Sequence, residues 1–221
     1  MSGRKRKILA VTALLAVPLV FYEGLSWSVF LLAYRIWGMA AADHTLEVMT
    51  VAAALACLVL GAGYWRLVRP WTWKQRAERE KKPLVQWLLL VPAAAVSCVG
   101  LNILVAMLSL DPSAYARMNE TLYQSSFGVQ AVSTVLVIPL AEELVFRGFA
   151  FSVLRERMPF WAAALASAAY FGIFHGNLPQ GIYAFLIGLE LAWCCEWYKG
   201  LGAAWLFHGL VNLTSVVVMN L

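Results

Sequence analysis

Charged residues are distributed very unevenly along the chain. Five stretches contain no Asp, Glu, Lys or Arg: Val48–Trp65, Leu84–Leu110, Thr121–Ala141, Met158–Leu189 and Gly200–Leu221. A membrane-spanning helix needs about 20 predominantly apolar residues, and each stretch reaches or approaches that length. Met158–Leu189 is too long for one crossing, and "HGNLPQG" inside it has the composition of a turn, so it divides into two helices. The N-terminal "RKRKILAVTALLAVPLVF" has the basic and apolar regions of a secretory leader. No A-x-A-like site follows, however, and "YEGLSWSVFLLAYRIW" continues the apolar character. Residues 8–37 are therefore expected to form a retained first span, tilted or broken near Pro18 and Glu23, with two short segments as the alternative. The pattern predicts an all-α, polytopic membrane helical bundle of about seven transmembrane helices, at roughly 8–37, 47–66, 84–110, 121–154, 159–175, 180–198 and 201–220.

Composition supports this class. The chain is 62% hydrophobic and 13% charged, against about 45–50% and about 25% for a soluble domain. Charge then orients it. Arg4, Lys5, Arg6 and Lys7 precede the first span, seven cations lie in the linker "RLVRPWTWKQRAEREKK", and Arg155, Arg157 and Lys199 sit at later helix ends. With seven spans and a cytoplasmic N-terminus, all of these fall on the cytoplasmic side. The other side receives Asp43, Glu47, Asp111 and Glu120, with Arg117 its only loop cation. Splitting the first segment would move the linker outside. The net charge of +5 is thereby explained by anionic lipid headgroups, and no nucleic-acid partner is expected. Trp71 and Trp73 among the linker cations suit a helix in the membrane interface (67–83). The four cysteines all lie in apolar runs and read as small packing residues, without disulfide or zinc spacing. No internal repeat divides the chain, so residues 1–221 are expected to form one membrane-embedded domain.

Once this bias is accounted for, a few polar residues remain within the spans. They are Glu142, Glu143, Arg147, His175, Glu190, His208 and Asn212, with Glu23 apart near the N-terminus. Ionisable groups in lipid cost several kcal/mol each, so they tend to be paired, structural or chemically employed. Glu143 and Arg147 are four apart on a helix and can neutralise each other. Glu142 is rotated about 100° from Glu143 and lacks that partner. His208 and Asn212 share a face by the same spacing, as do Phe171 and His175. If the fourth and fifth spans turn at Met158–Pro159, Glu142 and His175 are both 16.5 positions from the turn, about 25 Å along the hairpin. His208 and Asn212 are 8.5 and 12.5 positions past the next turn, somewhat nearer the cytoplasmic face. One carboxylate, two imidazoles and an amide can therefore converge in a buried pocket.

Such a pocket has the parts for cleaving a bond with water. A carboxylate shielded from solvent is a stronger base. An imidazole beside it can hold the same water or relay its proton, and His208 with Asn212 can donate hydrogen bonds to a developing oxyanion. Each residue alone has a structural explanation: a histidine bonded to a carbonyl, a bracing ion pair, an asparagine bonded between helices. Glu23 and Glu190 have no assigned partner. Phe146, Phe149 and Phe151 read as lipid or core contacts.

Three motifs then resemble a known family. "EELVFRG" resembles the EExxxR signature of the CPBP family, the type II CAAX prenyl endopeptidases and bacteriocin-processing proteins. "FGIFH" is similar to its FxxxH motif (Phe171, His175), and "HGLVN" to its HxxxN motif (His208, Asn212). The three occur in family order within residues 121–221; the family's threonine before the last motif is absent from "YKGLGAAW". The resemblance implies a glutamic-type intramembrane protease whose catalytic core is 121–221, following N-terminal helices and the basic linker in 1–120. Glu142 and His175 would activate water, and His208 and Asn212 would form the oxyanion site. Glu143, Arg147 and Phe171 would support them. No cofactor is expected. The expected partners are the lipid bilayer and a membrane-delivered peptide or a lipidated or tail-bearing protein substrate. The expected location is a bacterial or archaeal plasma membrane. Two other readings stay open: a non-catalytic membrane immunity or scaffold protein of the same fold, and a zinc protease using Glu142, His175 and His208, which lacks an HExxH.

Overall fold

A computed structural model describes residues 3–72, 82–108 and 125–221. Helix α1 (Gly3–Trp37) passes through Pro18 without a break, so the first apolar segment is one helix. A 3₁₀ turn (Gly38–His44) leads into α2 (Thr45–Gly63), which continues helically to Thr72. Helix α3 covers Leu84–Met107, α4 Phe127–Arg155, α5 Phe160–Phe174, α6 Leu178–Tyr198 and α7 Leu201–Met219. Every regular element is helical among the described residues. Among the described residues, five helical stretches are long and apolar enough to cross a membrane: Leu9–Val68, which holds both α1 and α2, then α3, α4, α6 and α7. Helix α5 is apolar but shorter. Most of the linker expected to lie in the interface, and Asp111, Arg117 and Glu120, fall outside the described residues.

Helix α4 lies at the centre, in contact with α1, α2, α5, α6 and α7, while α3 covers the outer side of α6 and α7. Its backbone is unusual. Two π-helical segments, Ala131–Val137 and Leu144–Phe151, flank an α-helical turn and a half, Ile138–Glu143. A π-turn changes the hydrogen-bond register and exposes carbonyls, and lipid offers no water to satisfy them. Neighbouring helices supply the donors. Asn212 donates to the Thr134 carbonyl at 2.7 Å, Trp205 to Leu136 at 2.9 Å and Ser167 to Phe146 at 2.8 Å. These bonds hold α5 and α7 to the helix that carries both glutamates.

Small residues set the spacing elsewhere. A Cβ at Gly209 of α7 would stand 2.5 Å from the Val135 carbonyl oxygen, and one at Gly172 of α5 2.7 Å from the Gly181 oxygen of α6. Such close backbone approach is a common basis of helix association in lipid. The basic helix ends also meet. Arg155 holds Glu196 at 2.9 and 3.2 Å, Lys199 reaches the same carboxylate, and Tyr198 donates to the Gln86 carbonyl at 2.6 Å. At the opposite end Ser125 bonds Glu47, and Asn220 bonds Gln130.

Gly209→Ala is expected to destabilise the bundle by about 1–3 kcal/mol, because the methyl group meets rigid backbone. Gly202→Ala, whose Cβ would meet nothing within 4 Å, is expected to be near neutral. Denaturant unfolding in detergent micelles compares the two.

Candidate active site

The site grows from the α-helical turn of α4. Glu143 is completely buried, and its Oε1 accepts from Arg147 Nη1 at 3.0 Å, the ion pair expected from their spacing. The same oxygen lies 2.9 Å from His208 Nδ1. An ionised carboxylate only accepts, so with Glu143 ionised Nδ1 carries the hydrogen and His208 directs Nε2 elsewhere. Nε2 lies 3.8 Å from Glu142 Oε2. A continuous polar chain thus runs Arg147–Glu143–His208–Glu142. Glu142 is its most exposed acid, with 12% of its side chain accessible against none for Glu143.

Arg147 is also fully buried and fixed from three sides. Nη2 donates to the Gly188 carbonyl of α6 at 3.3 Å, and the guanidinium lies 4.4 Å over the ring of Phe171. Gly188 gives this contact its room: a Cβ would sit 3.1 Å from Arg147 Nη2 and from Ala168, tight enough that the neighbours would have to give way. Phe171 organises both imidazoles. Its ring centroid is 4.7 Å from that of His175 and 5.9 Å from that of His208, both edge-on.

His175 caps the C-terminus of α5. Its Nδ1 lies 2.8 Å from the Phe171 carbonyl, one helical turn back. A carbonyl accepts only, so Nδ1 is the protonated nitrogen and Nε2 presents a lone pair. The turn that follows explains its position. Gly176 has φ +72°, and Asn177 caps α6 by accepting from the Gln180 amide at 3.0 Å. Asn212 spends one amide hydrogen on the Thr134 carbonyl, leaving its second hydrogen and its oxygen.

The structure thus joins Glu142, Glu143, Arg147 and His208 directly, links His175 to them through Phe171, and anchors Asn212 to the π segment preceding the glutamates. Phe146, Phe149 and Phe151 are core residues, all buried. Glu190 is bonded to Ser97, apart from the site. Three contributors had no sequence signal: Gly188, the Thr134 carbonyl and Tyr22. Tyr22 of α1 is 3% exposed, sets its ring tilted against Phe174 beside His175 with centroids 6.2 Å apart, and lies within electrostatic range of Glu142. Among the described residues, no group of three or more His, Cys, Asp and Glu side chains is arranged to hold a metal ion.

The buried carboxylate–imidazole–carboxylate chain sets two acids and an imidazole together among apolar helices. Residues 124–214, which hold every residue of the chain just described, match the family model of the type II CAAX prenyl endopeptidase, Rce1-like. Through this segment the chain is similar to the Rce1-like CAAX prenyl endopeptidases. It is also 24% identical over 223 aligned residues to "Putative membrane peptidase YdiL" of Bacillus subtilis (strain 168), covering 97% of this chain and 85% of that protein. No solved structure matches it.

Removing one member of a buried ion pair strands the other. Arg147→Met is therefore expected to lower the unfolding free energy by about 3–5 kcal/mol. Arg147→Met combined with Glu143→Leu is expected to cost less than Arg147→Met alone. Unfolding titrations of both variants in one detergent measure the difference.

Proposed function

We propose that this membrane peptidase hydrolyses a peptide bond in a membrane-associated peptide or protein tail, with Glu142 activating the water. The carrying observation is the Arg147–Glu143–His208–Glu142 chain. It neutralises and braces one glutamate and leaves the other accessible.

A water between Glu142 and the Nε2 lone pair of His175 gives up a proton to Glu142 as its oxygen attacks the scissile carbonyl carbon. The carbonyl oxygen becomes an oxyanion. His208 Nε2–H, when the ring is doubly protonated, and the second Asn212 amide hydrogen are the donors nearest in role to an oxyanion site. As the tetrahedral species collapses, the C–N bond breaks and Glu142 returns its proton to the leaving amine. Glu143 holds His208 in one orientation through Nδ1, and Arg147 holds Glu143; neither needs to touch substrate. The family name supports a lipidated tail as the substrate class.

We also infer seven crossings with the basic helix ends on the cytoplasmic side. The pairing of Arg155 and Lys199 around Glu196 supports this, since it gathers cations at one end of the bundle.

Glu142→Gln is expected to lower kcat by at least about 10²-fold while the thermal unfolding midpoint stays within a few degrees. Cleavage by the purified wild type is expected to persist in chelator. Full activity in Glu142→Gln would remove Glu142 from the chemistry, and chelator-sensitive activity restored by zinc would favour a metalloprotease. His175→Ala is expected to lose activity similarly, and trapping with Glu142→Gln in cells followed by mass spectrometry identifies the substrate.

A further inference from the structure

A cleft of about 460 Å³ opens between α2 and the start of α7. That lies within the usual range for ligand sites, about 300–1,000 Å³. It is separate from the polar chain above. Its inner wall includes Gly61 of α2 and Leu140 and Leu144 of α4, and its mouth is formed by Trp65, Arg69 and Lys199. The walls are apolar and the mouth is cationic, an amphiphilic gradient running from the basic end of the bundle toward the glutamate turn.

Both cations are held at the mouth. The Arg69 guanidinium lies 3.9 Å over the ring of Trp65 and has no acidic partner among the described residues. Lys199 lies 3.5 Å from Glu196, but Arg155 already holds that carboxylate through two shorter bonds. Two cations therefore share Glu196 while Arg69 adds a third charge, and the mouth keeps a positive charge. Lys199 has φ +58°, a left-handed conformation that glycine usually fills, so a side chain has been kept there at some backbone cost. Trp65 is more than half exposed on the outer surface, as suits an aromatic at a membrane–water boundary.

We propose that the cleft binds one anionic phospholipid from the leaflet at the basic end, with an acyl chain against Leu140 and Leu144 and the phosphate between Arg69 and Lys199. A headgroup at the cationic mouth and a chain toward the midplane is the orientation a lipid already has in that leaflet. Charge complementarity selects an anionic headgroup over a zwitterionic one. Leu140 and Leu144 lie two residues either side of Glu142 on α4, so a bound chain would buttress the glutamate turn from the helix face opposite Glu142. The inference does not depend on the peptidase reading.

Native mass spectrometry of the full chain in mild detergent, titrated with phosphatidylglycerol or phosphatidylcholine, tests it. One phosphatidylglycerol is expected to bind in preference to phosphatidylcholine. Arg69→Ala and Lys199→Ala are each expected to weaken it about five-fold. Gly202→Phe fills the open space beside Gly202 in the cleft lining and is expected to abolish binding with both cations intact. If Gly202→Phe fails to fold, the Arg69→Ala/Lys199→Ala double variant decides. Equal binding of the two lipids, or unchanged phosphatidylglycerol binding in the double variant, would overturn the proposal. So would a lipidated peptide with a free C-terminal carboxylate that occupies the cleft and cannot be displaced by phosphatidylglycerol, since the occupant would then be a peptide tail.

Discussion

The bundle is organised around one oxygen atom. Glu143 Oε1 accepts from both Arg147 and His208, at 3.0 and 2.9 Å. Burying an ion costs several kcal/mol unless its charge and hydrogen bonds are met, so the groups that serve this oxygen draw four helices together. Arg147 comes from α4 itself and reaches α6 through the Gly188 carbonyl, while His208 comes from α7. Phe171 of α5 covers the guanidinium. None of these groups could be desolvated alone, which couples formation of the site to formation of the fold.

The π segments of α4 solve a second problem with the same economy. A straight α-helix would close its carbonyls on its own amides and offer neighbours only side chains. By widening on either side of the glutamates, α4 presents backbone acceptors to Asn212, Trp205 and Ser167. In lipid these bonds have no competition from water. They locate α5 and α7 against the catalytic candidate turn, and the glycine contacts at Gly209 and Gly172 allow the approach.

The two adjacent glutamates consequently have different environments. Glu143 is enclosed and saturated on one oxygen, whereas Glu142 keeps an accessible face and meets His208 only at 3.8 Å. Tyr22 brings α1, outside the segment that matches the family, to the edge of the same site. The N-terminal helices therefore take part in enclosing the pocket as well as in anchoring the chain.

Much of this was legible in the residues. Uncharged runs marked the helices because lipid excludes charge, and the hairpin turn expected at Met158–Pro159 falls between α4 and α5. The Glu143–Arg147 pair followed from helical spacing, and their polarity within apolar runs singled out His175, His208 and Asn212, which the motifs then matched. Linear spacing could not reveal which nitrogen each histidine uses, because that is set by the Phe171 carbonyl and by Glu143. Nor could it assign His208 to a position between two carboxylates, since residues 65 apart meet only through the packing of α4 on α7. The π segments and the Gly188 contact were equally hidden: both depend on how closely neighbouring backbones approach. By itself the sequence determined which stretches are apolar enough to enter lipid and which side chains would be costly there, because those follow from local composition. Only the tertiary structure decided which costly groups share a proton, a charge or a carbonyl, because those pairings are made between helices.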